Sequence, residues 1–130
     1  MKKLILLLLA VMMLTACGQD KENDQGAVNV NITAEEAKQI MDNKEGYIIL
    51  DVREQDEYDA GHIPEAILIP YTQIGEKANE MLPDKEQLIL VYCRSGRRSK
   101  IAAEALVELG YTNIKEFGGI IDWPYEVEKP

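Results

Sequence analysis

The chemistry in this 130-residue chain centres on one cysteine. In Leu88-Ile-Leu-Val-Tyr-Cys93-Arg-Ser-Gly-Arg-Arg98-Ser99 an apolar run leads straight into Cys93, then into a short loop with a glycine and three arginines. The pattern reads as a buried strand, a turn, and a helix beginning near Ser99. Open α/β sheets bind ligands in the crevice at the C-terminal ends of their strands. The free N–H groups of a helix start favour an anion there. A thiolate is an anion, so this position predicts a lowered pKa for Cys93 and a nucleophilic sulfur.

The loop residues take roles from their chemistry. Gly96 suits a backbone that must bend its amides around a single atom. Arg98, at the end of the loop, is expected either to bind an anionic donor or to hold the loop closed. Arg94 and Arg97 are expected to act as exposed electrostatic guides. Ser95 and Ser99 are expected to hydrogen-bond the loop, with helix capping as the plainer role for Ser99.

Charge and composition exclude several alternatives. The chain carries 14 Lys+Arg against 23 Asp+Glu, a net charge of −9. Such a chain has no reason to bind nucleic acid, whose backbone would repel it. Three of its cations sit within Arg94–Arg98, which points to a small anion as the partner. One histidine, His62, and no His/Cys/carboxylate cluster at ligand spacing predict no metal site. No organic cofactor is expected.

The N-terminal end has its own pattern. Lys2-Lys3, an apolar run of 11 from Leu4 to Leu14, and Thr15-Ala16-Cys17 follow in the order of an export signal. Eleven apolar residues fall short of the about 20 needed to span a bilayer. Cysteine directly after Thr-Ala resembles the lipobox of bacterial lipoproteins. That resemblance implies a signal peptide over 1–16, a lipidated Cys17 heading a flexible tether to residue 30, and a domain over 31–130. A diacylglyceryl group on Cys17 would place the domain outside the cytoplasmic membrane, or at an outer membrane if there is one. Loss of Lys2 and Lys3 would leave 12 Lys+Arg against the same 23 acids, a net charge of −11.

Strand and helix patterns alternate through the rest. Val28, Val30 and Ile32 alternate as an edge strand, and Thr33-Ala-Glu-Glu36 is a capping box. Tyr47–Asp51, Ala66–Ile69, Leu88–Tyr92 and Asn113–Phe117 read as strands. Glu54–Asp59, Gln73–Leu82 and Ser99–Leu109 read as helices, the last with Ile101, Ala102, Ala105 and Leu109 inward. This order predicts an α/β fold with a mainly parallel five-stranded sheet covered by helices on both faces.

Five segments in register resemble a rhodanese domain: Asp51-Val-Arg53, Glu57-Tyr-Asp-Ala-Gly-His-Ile-Pro64, Ala66–Pro70, the Cys93–Ser99 loop, and Gly118-Gly119 with Trp123. The resemblance implies a rhodanese-like fold and a sulfurtransferase. Cys93 would take a sulfane sulfur from a small anionic donor such as thiosulfate, become a persulfide, and pass the sulfur to a thiol or cyanide. Asp51, Arg53, Glu57 and His62 are expected to support the site structurally, since an ionised thiolate needs no general base. Gly118, Gly119 and Trp123 are expected to serve the fold. Glu65 departs from the family pattern, which has glycine there, and that puts the local turn in question. A membrane-anchored sulfur carrier or thiol redox sensor would use the same residues. Cysteine-dependent phosphatases share the fold, but their loop has five residues between cysteine and arginine. Here four separate Cys93 from Arg98.

Overall fold

The computed structural model describes residues 27–130. The signal-peptide reading of 1–16, the lipid site at Cys17 and most of the tether lie outside the described residues. Strands β1 (Asn29–Asn31), β2 (Ile48–Asp51), β3 (Ile67–Leu68), β4 (Ile89–Cys93) and β5 (Ile114–Gly119) form one sheet in the order β1-β5-β4-β2-β3. Every pairing is parallel. The sheet already starts at Asn29, within the stretch read as tether.

Helices α1 (Ala34–Asn43), α2 (Gln55–Ala60), α3 (Ile74–Met81) and α4 (Arg97–Glu108) make the connections. The expected capping box opens α1: Thr33 Oγ1 accepts from the Glu36 N–H and Glu36 Oε1 from the Thr33 N–H. Strand β4 is central, and all five of its residues are buried. Its alternate side chains feed two cores. Ile89, Val91 and Cys93 pack on the side of α3 and α4, with Ala78, Ala102 and Leu106. Leu90 and Tyr92 pack on the opposite side with Ala37, Ile63, Phe117 and Trp123. Cys93 therefore faces α4 because of its parity in the strand.

Helix α4 corrects two expectations. It begins at Arg97, with Gly96 as its N-cap residue at φ +115°, so Ser99 lies in the first turn and is not the cap. The inward face consists of Ser99, Ala102, Ala103 and Leu106, while Ile101 is exposed. Turning Ser99 toward the sheet fixes this phase, because residues three and four apart share a helix face. Met81, at the end of α3, is likewise exposed, while Ile74, Ala78 and Leu82 carry the packing.

The turn before β3 carries Glu65 in a backbone conformation that favours glycine. Glu65 is the one non-glycine residue with positive φ among the described residues, at +74°. A side chain there costs on the order of 1–2 kcal/mol. Glycine returns some of that through its larger unfolded-state entropy. Glu65→Gly is therefore expected to stabilise the fold by about 0.5–1 kcal/mol, read as a rise of a few degrees in Tm. An unchanged or lower Tm would show that the turn is not strained.

Candidate active site

Cys93 ends β4 and is 1% exposed. Its register partner on β5 is Gly119, across an irregularity between Val91 and Cys93. The loop then wraps the sulfur. The Gly96 N–H donates to Cys93 Sγ at 3.0 Å, and Ser99 Oγ stands 3.5 Å from it. Burial pushes the Cys93 thiol up. The Ser99 hydroxyl, when its proton turns to the sulfur, and the N–H groups of Ser99, Gly96 and Ser95 outweigh that and leave the thiol below its ordinary value. Several amides converging on one atom form an anion-binding nest.

The close wrap needs glycine on both sides. Gly96 adopts a backbone conformation that L side chains rarely tolerate. Gly119 lets the loop pass directly over β5, because a Cβ there would lie 1.9 Å from the Arg94 carbonyl oxygen. The Ile121 N–H donates to that same carbonyl at 3.2 Å. Gly119, expected only to serve the fold, thus shapes the loop around Cys93.

The arginines separate into two kinds. Arg94 and Arg97 are exposed, and the Arg97 guanidinium carbon lies 5.9 Å from the Tyr71 ring centroid. Arg98 instead turns to Glu57 on α2, donating Nη1–H to Oε1 at 2.8 Å and Nη2–H to Oε2 at 2.9 Å. Of the two expected roles for Arg98, this geometry supports holding the loop closed. The bidentate pair ties the first turn of α4 to α2. Hydrogen bonds from Arg98, opposed by partial burial, hold the Glu57 carboxyl down at about 2.

That depressed value makes the brace acid-sensitive. With the folded pKa below the ordinary value of 4.5, the stabilisation is complete above pH 4.5 and disappears as pH falls through about 2. Glu57→Gln is expected to cost about 1–2 kcal/mol at neutral pH, allowing for solvent screening of a part-exposed pair. Urea unfolding should show the difference from wild type closing as pH drops to 2. A gap that stays constant with pH would remove the ion pair as its cause.

The remaining support residues lie one layer further out. Asp51 is fully buried and accepts from the Arg53 guanidinium (Nη2 at 2.7 Å) and from Tyr92 OH (2.7 Å). Arg53 also donates to the Gly61 carbonyl at 2.8 Å. This network locks β2 to β4 on the face opposite the sulfur. His62 stacks on Tyr58 with ring centroids 3.8 Å apart and places Nδ1 3.0 Å from the Tyr58 carbonyl. Its backbone pairs with Glu128. Among the described residues no hydrogen bond joins His62 to the loop, so its contacts are those of a structural residue.

Sequence reasoning missed Glu116. It is 1% exposed on β5, and its Oε2 accepts from Ser99 Oγ at 2.5 Å and from the Gly118 N–H at 2.8 Å. The available signal was an acidic residue at an inward position of a strand, with the same parity as Ile114.

A parallel sheet whose central strand ends in a cysteine, wrapped by the first turn of the next helix, defines an α/β domain of the cysteine-loop class. Residues 33–124 match the rhodanese-like domain family, and the chain belongs to that family. The thiosulfate sulfurtransferase PspE of Escherichia coli is 40% identical over 73 residues, covering 56% of this chain and 70% of that protein. A Bacillus subtilis protein named as a sulfur carrier, YrkF, is 35% identical over 112 residues and 85% of this chain, which spans 60% of that protein's length. A solved rhodanese with anions from E. coli superposes with a TM-score of 0.61 at 36% identity, covering 65% of this chain and 99% of that one.

Proposed function

We propose that the protein moves a sulfane sulfur from thiosulfate, or a related small anionic donor, to a thiol or cyanide through a persulfide on Cys93. The observation that carries this reading is the Gly96 N–H on Cys93 Sγ at 3.0 Å, within a loop that lowers the thiol's pKa. Family membership and relatives named thiosulfate sulfurtransferase support it.

The chemistry runs in two displacements. The Cys93 thiolate attacks the outer sulfur of thiosulfate, a new S–S bond forms, and sulfite leaves with the electron pair of the broken bond. The outer persulfide sulfur then carries the negative charge, which the loop N–H groups are placed to receive. An acceptor thiolate or cyanide attacks that sulfur, and the Cys93 thiolate leaves. Dividing one hard transfer into two is the usual gain of covalent catalysis. Ser95, Gly96 and Ser99 line the sulfur, Arg94 and Arg97 draw the donor anion, and Arg98 holds the loop. No metal or organic cofactor is needed for either step.

Sulfur carriage is the second reading, and the 1% exposure of Cys93 favours it. A shielded sulfur exchanges slowly with stray thiols and reacts when a fitted partner moves the exposed Arg94-Ser95 segment. Lipid attachment at Cys17, outside the cytoplasmic membrane, is part of the same proposal. Intact-mass measurement of protein taken from its own membranes and incubated with thiosulfate tests all three points. The expected result is a lipid on Cys17, one added sulfur on Cys93, and thiocyanate on adding cyanide. Sulfur loading without repeated turnover would favour the carrier. No sulfur on Cys93, either as the protein comes from its membranes or after thiosulfate, would overturn both readings, and no lipid would overturn the anchor.

A further inference from the structure

Glu116 is a buried carboxylate that the proposed transfer does not use. All its short contacts come from donors. Oε1 takes Asn31 Nδ2 at 2.6 Å, with Lys100 Nζ at 3.7 Å, and Oε2 takes the Gly118 N–H and the Ser99 hydroxyl. Asn31 Nδ2 and the Gly118 N–H can only donate, one to each oxygen, and such donors favour the charged carboxylate.

Ser99 sits between this carboxylate and the sulfur. Its hydroxyl has one proton, and four acceptors surround Oγ: Glu116 Oε2 at 2.5 Å, the Gly96 carbonyl at 3.0 Å, the Gly118 carbonyl at 3.3 Å and Cys93 Sγ at 3.5 Å. The nearest acceptor is also the charged one, so the proton goes to Glu116. With its proton on Glu116, Ser99 withholds from Sγ the hydrogen bond that would help lower the thiol and presents a lone pair instead, so that the loop N–H groups alone oppose burial.

From this geometry we infer that Glu116, acting through Ser99, is a positioning residue that disfavours the free Cys93 thiolate and, at pH values where the unloaded cysteine is ionised, tips the site toward its sulfur-loaded state. The inference rests on the persulfide reading for its second half only. In the free thiolate the negative charge lies on Sγ, one hydroxyl from the carboxylate. In the persulfide the inner sulfur is uncharged and the charge has moved to the outer sulfur, away from Glu116. Like-charge repulsion therefore penalises the unloaded anion more than the loaded one. The other charged groups around Cys93 pull the opposite way. Arg94 on the loop and Arg97, Arg98 and Lys100 on α4 are cationic, with Glu57 neutralising Arg98. On the far face of the sheet, Asp51 and Arg53 neutralise each other beneath Tyr92.

The test is the pH dependence of Cys93 alkylation by iodoacetamide in the full-length protein, followed by intact mass. Glu116→Gln keeps the shape but not the charge. It should lower the alkylation midpoint by about one pH unit, a tenfold change in thiol ionisation. Above that midpoint, where the unloaded cysteine is a thiolate, it should also reduce the fraction loaded at a fixed thiosulfate-to-sulfite ratio. Asn31→Ala removes a hydrogen-bond donor from Oε1 on the exposed edge strand and leaves the carboxylate drawing harder on its remaining donors, Ser99 among them, so the midpoint should rise. General loosening of the loop would raise reactivity at every pH without moving the midpoint. A midpoint unmoved in both variants overturns the inference, and if Glu116→Gln does not fold, an unmoved or lowered midpoint in Asn31→Ala alone overturns it. Because alkylation needs no sulfur donor, a wild-type protein that fails to load sulfur, with these shifts still seen in the variants, would discard the sulfurtransferase reading and keep the coupling.

Discussion

Cys93→Ser should leave a folded protein with no sulfur loading and no thiocyanate production. A serine hydroxyl fits the space of the buried thiol and keeps partners for both its functions, accepting from the Gly96 N–H and donating to Ser99. The packing loss is small, because one second-row atom is exchanged for a smaller one in a site already supplied with polar groups. A cost of about 1–2 kcal/mol is expected, visible as a modest fall in Tm. The chemical loss is of another order. A hydroxyl does not ionise near neutral pH, and an oxygen bound to sulfur would not reproduce the persulfide. Turnover should drop by on the order of 10⁴-fold or more, the scale set by removal of a covalent nucleophile. Intact mass after thiosulfate, thiocyanate release and thermal unfolding report the three expectations separately. Residual transfer well above background in a folded variant would mean that the sulfur travels without Cys93, and the two-displacement scheme would be lost.

The parts of this molecule legible in the sequence are those where one local pattern decides the outcome. Strand β4 was readable because a continuous apolar run in an α/β chain is a strand buried on both faces. The capping box at Thr33 and Glu36 fixed the start of α1 for a similar reason. The phase of α4 was not readable in the same way. Its first turn is Arg97-Arg98-Ser99, and the apolar residues alone allow Ile101 to face inward. What decides the phase is Ser99 meeting a sulfur from β4 and a carboxylate from β5, a long-range condition. Arg98 shows the same limit. Its type and place allowed either donor binding or loop bracing, and only the position of α2 puts Glu57 within 2.8 Å. Glu116 escaped notice because an acidic residue in a short strand looks solvated until its donors Asn31, Ser99 and Gly118 are assembled around it.

Gly119→Ala should damage the loop, since among the described glycines it is the one where an added Cβ would fall within 3.0 Å of other atoms. The added Cβ would lie 1.9 Å from the Arg94 oxygen, 2.2 Å from its carbonyl carbon and 2.5 Å from the Ser95 Cα. These are backbone atoms, so no rotamer change relieves the clash. Either the end of β5 or the loop must move, and the Ile121 N–H to Arg94 carbonyl bond joins the two. A displaced loop carries the Gly96 N–H away from Sγ and removes one cause of the lowered thiol pKa. The expected stability cost is about 3 kcal/mol, at the upper end of overpacking effects. With it, the alkylation midpoint of Cys93 should climb, and sulfur loading should fall by about tenfold or more, since one donor to a developing anion is worth at least that. Gly118→Ala supplies the contrast. Its Cβ would meet nothing within 4 Å, but its φ of +85° strains any side chain. That variant should lose about 1–2 kcal/mol of stability while keeping the thiol midpoint of the wild type. If both alanines behave alike, backbone strain and not the passage of the loop over β5 governs this corner. A Gly119→Ala protein with wild-type alkylation and loading would show that the close wrap around Cys93 is dispensable for its reactivity.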